Sequence, residues 1–93
     1  MKRIVILPSF ERTLRKLNPQ QKNLIGCSLE EFNRFLCGGY MPAGLGFKKI
    51  NHDKYELRVD IRLRIIIKSE ADIYYLVLVG NHDDVRRYLR RYR

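Results

Sequence analysis

The sequence is poor in the residues that build metal centres and disulfide frameworks. Its 93 residues include two cysteines and two histidines. Neither Cys27 nor Cys37 belongs to a CxxC pair or to a Cys/His cluster with zinc-ligand spacing. No activating base stands near either thiol in the sequence, so a catalytic cysteine is not predicted. We expect two reduced thiols on or near a helix, and no metal.

Long apolar runs are also absent. A helix that spans a membrane needs about 20 predominantly apolar residues, and no run in the sequence approaches that length. The opening MKRIVILPSF is too short and ends wrongly for a signal peptide. Because repeats, linkers and low-complexity tracts are missing as well, we expect one cytoplasmic domain that covers residues 1–93 and does not attach to a membrane.

Acidic residues are outnumbered by basic ones. Lys and Arg total 19 against 10 Asp and Glu, which gives a net charge of +9. With 45% hydrophobic and 31% charged residues, the composition is that of a globular domain rather than a disordered chain. A small basic domain attracts polyanions, and here a nucleic acid or an acidic protein partner fits better than an anionic membrane.

What the sequence does contain is two strand patterns in its second half. From Tyr55 to Lys68, aliphatic residues alternate with polar ones, which is the period of a strand buried on one face. We expect the aliphatic set, Ile61 included, to face a core. The polar set then lies on the opposite, cationic face and comprises Glu56, Arg58, Arg62 and Arg64. The next run, Ile73 to Val79, is apolar at every position, as is typical of a central strand.

The first half predicts an opening strand and a helical hairpin. Lys2 to Leu7 forms the strand, and Ser9 caps the first helix. The second helix begins with Asn18 as N-cap and with Gln21 completing a capping box. Its apolar stripe consists of Ile25, Leu29, Phe32 and Leu36. Gly38 and Gly39 end this helix, and the glycine-rich segment 38–46 is a connector or, alternatively, a mobile substrate flap.

The remaining segments complete an α+β fold. A short strand from Phe47 to Asn51 precedes the two longer patterns and makes a three-strand meander. Asp83 or Asp84 caps a final helix. Its apolar face carries Val85, Tyr88, Leu89 and Tyr92, and arginines line the rest. The predicted fold is an N-terminal strand, a helical hairpin, an antiparallel sheet of three to four strands and a short C-terminal helix.

In this order the residues resemble the RelE/ParE superfamily of toxin-antitoxin toxins, over nearly the whole chain. The matching pieces are FERTLRKL (Phe10 to Leu17), KKI (Lys48 to Ile50), YELRV (Tyr55 to Val59), LRIII (Leu63 to Ile67) and VGNHDDVRRYL (Val79 to Leu89). The resemblance implies a toxin of a type II toxin-antitoxin pair, with a cognate antitoxin as its protein partner.

Members of this superfamily divide by activity, so the fold alone leaves the function open. RelE-like members are metal-independent endoribonucleases that cleave mRNA on the ribosome and use no cofactor, and this is the activity that we expect. ParE-like members inhibit DNA gyrase by binding and perform no chemistry. A third alternative is a decayed toxin that folds but is inert.

The resemblance also nominates catalytic residues. Arg64 falls where RelE-like ribonucleases carry the arginine that stabilises the scissile phosphate, and His82 falls where some carry a catalytic histidine that acts as general acid. The alternatives are a solvated strand arginine and a polar turn histidine. Glu56 is the candidate base, or else an ion-pair partner of Arg58. Lys54 and His52 are further candidates for the base.

The remaining cations predict a surface for the RNA backbone. This set comprises Lys48, Lys49, Lys54, Arg58 and Arg62, and its alternative role is to keep the surface soluble. Tyr88 matches a tyrosine that stacks on the substrate in some relatives, although its place on the apolar face of the last helix favours packing. The expected partners are therefore an antitoxin, mRNA and the ribosome.

Overall fold

The computed structural model describes residues 3–38 and 46–92, and within them the chain forms three helices and five strands. In chain order these are β1 (Arg3–Ile6), α1 (Pro8–Arg15), α2 (Pro19–Leu36), β2 (Phe47–Lys49), β3 (Lys54–Arg58), β4 (Arg64–Glu70), β5 (Ile73–Gly80) and α3 (His82–Arg91). The predicted α+β class and the predicted order of elements are confirmed. Most of the glycine-rich segment for which a connector or flap was predicted, residues 39–45, lies outside the described residues.

The strands form one mixed sheet in the order β1-β5-β4-β3-β2. The neighbours from β5 to β2 are antiparallel, and β1 lies parallel to β5. Two differences raise the strand count above the three to four expected. The opening strand joins the sheet instead of standing apart, and the alternating run from Tyr55 to Lys68 divides into β3 and β4.

Asp60 makes the turn that divides this run. Its Oδ1 accepts hydrogen bonds from the backbone N–H groups of Arg62 (2.8 Å) and Leu63 (2.7 Å). Leu57 pairs with Ile65 across the turn, so odd-numbered residues of both strands share a face and the alternation continues unbroken. The expectation that Ile61 faces the core is wrong, because Ile61 lies within this turn and is 76% exposed.

The helical hairpin covers one face of the sheet. The buried residues of this main core are Phe10, Ile25, Phe32, Leu57, Leu63, Ile65, Ile67, Tyr74, Leu76 and Val79. The capping box of α2 is confirmed, since the backbone N–H of Gln21 donates to Asn18 Oδ1 at 2.8 Å and that of Asn18 donates to Gln21 Oε1 at 3.1 Å. The apolar stripe of α2 packs inward as predicted, with Ile25 and Phe32 fully buried.

Helix α1 also completes the edge of β5 where β1 ends. The Ser9 hydroxyl donates to the Val77 carbonyl (2.6 Å), and the Val79 N–H donates to Thr13 Oγ1 (3.0 Å). Ser9 is therefore not the helix cap that was expected. The helix begins two residues earlier, at Pro8, and Leu7 takes the N-cap position. The hydroxyl of Ser9 is therefore available to bond the strand.

Helix α3 covers part of the second face of the sheet. Val85 packs against Ile66 and Val77, in a small core that Leu7, Ile50, Leu78, Tyr88 and Leu89 border. Its N-cap is Asn81 rather than either predicted aspartate. Asp84 instead completes a capping box, because its carboxylate accepts a hydrogen bond from the Asn81 N–H at 3.0 Å. Within the described part of the chain, no helix is both long and apolar enough to cross a membrane.

We predict that Thr13→Val destabilises the protein by about 1–3 kcal/mol, because the substitution leaves the Val79 N–H without an acceptor. Urea unfolding followed by circular dichroism measures the change. Thr13→Ser is the matched control, since it keeps the hydroxyl. Equal stability of the Val and Ser variants would contradict the role given to this hydrogen bond.

Candidate functional site

The candidate site lies where β4 begins and β5 ends, on the face that α3 only partly covers. Arg64 opens β4 and is paired with Arg58 on one side and with Gly80 on the other. Gly80 has no side chain there, and Asp84 of α3 fills the space, since a Cβ at Gly80 would lie 2.7 Å from the Asp84 Cβ. His82 follows two residues later as the first residue of α3. The sheet thus brings Arg64 and His82 to the same end.

Glu56 connects this end to the middle of the sheet. It lies on β3 and is 6% exposed. Its neighbours on the flanking strands are Lys48 on β2 and Ile66 on β4. Its Oε2 accepts a hydrogen bond from Arg64 Nη1 at 3.0 Å and lies 3.7 Å from Lys48 Nζ. The ion pair that was expected with Arg58 is not among the contacts of the described residues. Two residues from other strands reach the carboxylate instead.

One edge of the Arg64 guanidinium has no hydrogen-bond partner among the described residues. Nη1 is bonded to Glu56, whereas Nε is buried without any hydrogen bond, and Nη2 makes none within residues 3–38 and 46–92. Leaving a buried donor unpaired costs about 1–3 kcal/mol. Nε and Nη2 form the side of the guanidinium that matches two oxygens of a phosphate. The side chain as a whole is 18% exposed, although Nε itself is buried.

His82 stands free at the start of α3. It is exposed, and it makes no hydrogen bond or ion pair with any residue of the described ranges. Its neighbour Asn81 is fully used as the helix cap. The imidazole is therefore available to a ligand at this end of the sheet, and no contact in the structure assigns it a structural role.

The structure separates the residues that were predicted to bind RNA. Lys48 and Arg58 share the face of Arg64, but Lys49 is paired with Tyr55 and lies on the opposite face. Arg62 lies in the turn before β4 and is exposed. Lys54 is buried at 7% exposure. Of the predicted set, Lys48, Arg58 and Arg62 remain open to a polyanion near Arg64.

Lys54 is occupied by its neighbour Asp53 at the far end of β3. Lys54 Nζ donates to Asp53 Oδ1 at 3.3 Å. Burial by itself raises the pKa of the Asp53 carboxyl, but the hydrogen bond and charge of Lys54, with the charges of His52 and Lys68, outweigh it and hold the pKa below the usual 3.8. We interpret this pair as structural.

Tyr88 belongs to the small core beneath α3, and its ring packs in a tilted arrangement against that of Tyr92, with 4.9 Å between the ring centroids. Burial raises the pKa of its phenol above the usual 10.0, and the charges of Asp53 and Tyr92 add to the shift. The phenol is therefore neutral at physiological pH. The position of Tyr88 agrees with a packing role, which the sequence favoured over stacking on a substrate.

A cleft of about 790 Å³ lies between α3 and the end of α1, and its lining includes Gly80, the strand partner of Arg64, but not Arg64 itself. Its polar lining includes Lys16, Gln21, Arg62, Asn81, Asp84, Arg87, Arg90 and Arg91. Sequence analysis did not include Lys16 in the basic surface, because no pattern links α1 to a helix so distant in the chain. Only the packing of α1 against β5 brings Lys16 beside the arginines of α3.

No protein-family model and no curated protein sequence matches the chain. Its fold matches solved structures over most of its length. A chain of the RelB-RelE antitoxin-toxin complex from Methanococcus jannaschii has a TM-score of 0.67 and 22% identity, and the match covers 90% of this chain and 96% of that one.

Two further structures agree at lower identity. A chain of the DinJ-YafQ toxin-antitoxin complex from E. coli has a TM-score of 0.68 and 12% identity, with coverage of 90% and 96%. The YoeB dimer from Staphylococcus aureus gives 0.62 and 13%, with coverage of 87% and 97%. The chain therefore has the fold of the RelE-like toxins, and the resemblance seen in the sequence is confirmed at the level of fold.

We predict that Asp53→Asn lowers stability at neutral pH, because buried Lys54 loses its counter-charge. The pKa of Asp53 is lowered in the folded state, so its contribution is complete well above pH 3.8 and is lost as the pH falls through the folded value.

The measurement is urea unfolding of the parent and Asp53→Asn from neutral pH down to acid. The difference between the two is expected to be constant above about pH 5 and to shrink below it. Glu70→Gln, which removes an exposed carboxylate, is the control. A difference that stays constant into acid would contradict the pairing.

Proposed function

We propose that the chain is the toxin of a type II toxin-antitoxin pair and acts as a metal-independent endoribonuclease on mRNA, with the ribosome presenting the substrate. The observation that carries the proposal is the partner-free Nε edge of Arg64, held by Glu56 at the end of the sheet where His82 stands free. The fold shared with RelE, YafQ and YoeB supports it. The fold alone does not establish the activity, because one fold carries many functions.

The reaction needs charge at the phosphate and two proton transfers. The 2′-oxygen attacks phosphorus, the bond to the 5′-oxygen breaks, and a 2′,3′-cyclic phosphate and a 5′-hydroxyl result. Arg64 stabilises the charge that develops on the phosphate oxygens. His82 donates the proton to the leaving 5′-oxygen. Glu56 either takes the 2′-hydroxyl proton or holds Arg64 in place.

Basic side chains around Arg64 bind the RNA backbone. Lys48 and Arg58 lie on the same face, and Arg62 lies in the adjoining turn. Such contacts add affinity that depends on salt and not on base sequence. The same surface suits an antitoxin whose acidic segment neutralises it, and the complexes of RelB with RelE and of DinJ with YafQ are precedents for such a partner.

We predict that Arg64→Ala lowers the rate of cleavage by about 10²- to 10³-fold and that His82→Ala lowers it by about 10²- to 10⁴-fold. Primer extension on a reporter mRNA after brief induction measures the cuts. Arg12→Ala is the matched control for Arg64→Ala, since Arg12 is exposed and lies on α1.

Intact mRNA in cells whose growth the parent arrests would contradict the ribonuclease and direct the search to gyrase. Intact mRNA with normal growth would indicate an inert protein. Cuts that persist in both the Arg64→Ala and the His82→Ala variant would contradict the assigned residues.

We also predict that Lys48→Ala and Arg58→Ala each reduce the salt dependence of single-stranded RNA binding by about 0.7 in the slope of log K against log salt. Fluorescence anisotropy with a labelled oligonucleotide measures the slope. Lys49→Ala is the control, because Lys49 is exposed on the opposite face of the same strand. Equal effects of Lys48→Ala and Lys49→Ala would show that the RNA does not follow the face of Arg64.

A further inference from the structure

Glu56 stands out among the charged residues because it is both buried and shared. It is the only carboxylate in the described ranges that is less than a tenth exposed. One of its oxygens, Oε2, contacts cations from two different strands, Arg64 on β4 and Lys48 on β2. A surface ion pair rarely has this form, since exposed pairs usually join two mobile side chains.

We propose that Glu56 is a positioning residue, which with Lys48 holds the Arg64 guanidinium so that its Nε and Nη2 face an incoming phosphate. The inference rests on the proposed function for its substrate, and it assigns Glu56 to Arg64 instead of to the 2′-hydroxyl proton. The anion it prepares for is a phosphodiester oxygen pair, or inorganic phosphate as a stand-in.

The first support is the direction of the Arg64 side chain. Arg64 is the first residue of β4, but Glu56 is paired with Ile66, two residues farther along that strand. The guanidinium therefore reaches back over the sheet to make its 3.0 Å bond through Nη1. The bond at Nη1 leaves Nε and Nη2 without a hydrogen bond to Glu56.

The second support is the restricted position of the Glu56 side chain. Glu56 lies in the middle of β3, between β2 and β4, and its side chain is 8% exposed. Lys48 contacts the same oxygen from the other side, and its own side chain is 68% exposed. An arginine side chain has many rotamers when it is free in solution. A carboxylate in a fixed position therefore helps to keep the guanidinium in one orientation.

The third support is the unfilled donor. Arg64 Nε is buried, and residues 3–38 and 46–92 supply no acceptor for it. Buried donors in folded proteins are nearly always paired, and an exception points to a missing ligand or to a catalytic role. A phosphate that bridges Nε and Nη2 would satisfy both donors while the contact with Glu56 remains.

The two roles of Glu56 predict different results for two substitutions. Glu56→Gln removes the charge and the proton acceptor but keeps an oxygen that can accept from Arg64. Glu56→Ala removes both. For a positioning residue, we expect Glu56→Gln to cleave within about tenfold of the parent, and Glu56→Ala to lose about as much as Arg64→Ala, on the order of 10²-fold or more.

Single-turnover cleavage on programmed ribosomes across pH 5–9 (about the range in which histidine titrates) measures these rates. The shape of the pH profile is expected to be the same in Glu56→Gln as in the parent. The double variant Glu56→Ala/Arg64→Ala should be no slower than Arg64→Ala alone, since the two residues act as a unit. Equal and large losses in Glu56→Gln and Glu56→Ala, with a further loss in the double variant, would overturn the proposal.

A second measurement does not depend on nuclease activity. The Arg64 Nε–H resonance is followed by ¹⁵N NMR during titration with inorganic phosphate. We expect a shift in the parent and in Glu56→Gln, and a loss of that shift in Glu56→Ala. Lys48→Ala, which removes an exposed side chain and leaves the bond between Glu56 and Arg64, should weaken the response by a factor of about two to ten.

The two measurements separate the two proposals. A parent that does not cleave RNA, but whose Arg64 response to phosphate requires residue 56 to accept a hydrogen bond, would refute the nuclease and support the positioning role. A phosphate response that is unchanged in folded Glu56→Ala would overturn the positioning role while leaving the nuclease intact. Thermal unfolding of each variant establishes that it is folded.

Discussion

The register of β4 between β3 and β5 is the constraint on which the rest of the structure depends. It turns Ile65 and Ile67 toward the helical hairpin and leaves Arg64 and Ile66 on the other face. A slip by one residue would exchange these faces, burying the guanidinium under the helices and exposing the core. The burial of Ile65 and Ile67 in the main core therefore fixes the face of the sheet on which the charged site lies.

The charged site exists because α3 covers only part of the second face. Val85 and its neighbours close the half of the sheet over β4 and β5. Over β2, β3 and the start of β4, side chains of both charges are left, and Lys48 and Arg64 both contact Glu56. Among the described residues, this is where a buried donor stays unpaired. The site is thus a part of the sheet that α3 does not cover, and ion pairs rather than apolar side chains occupy it.

The proposed function depends on these side chains rather than on the fold, which the chain shares with the RelE, YafQ and YoeB structures. Identity to the RelE, YafQ and YoeB structures described above is between 12% and 22%, which leaves most surface positions unrelated. Within that background, an arginine held by a buried glutamate and a free histidine at the start of α3 are specific features of this chain. They are consistent with phosphate chemistry and with a partner that must neutralise a basic surface.

Local features were determined by the sequence alone, because they depend on neighbours within a few residues. The capping box of α2, the apolar stripe of that helix and the central position of β5 are of this kind. Arg64 and His82 were nominated by the family resemblance, and the structure places both at one end of the sheet. The turn at Asp60 could not be seen, because pairing of equal parity kept the alternation unbroken.

The tertiary structure alone decided the partners of these residues. Arg64 rather than Arg58 reaches Glu56, because the carboxylate faces a neighbouring strand. Lys54 is withdrawn from the surface by Asp53, and Lys49 lies on the opposite face. Ser9 serves the edge of β5 because β1 stops short of it. Each outcome depends on contacts between residues far apart in the chain, and no periodicity in the sequence encodes them.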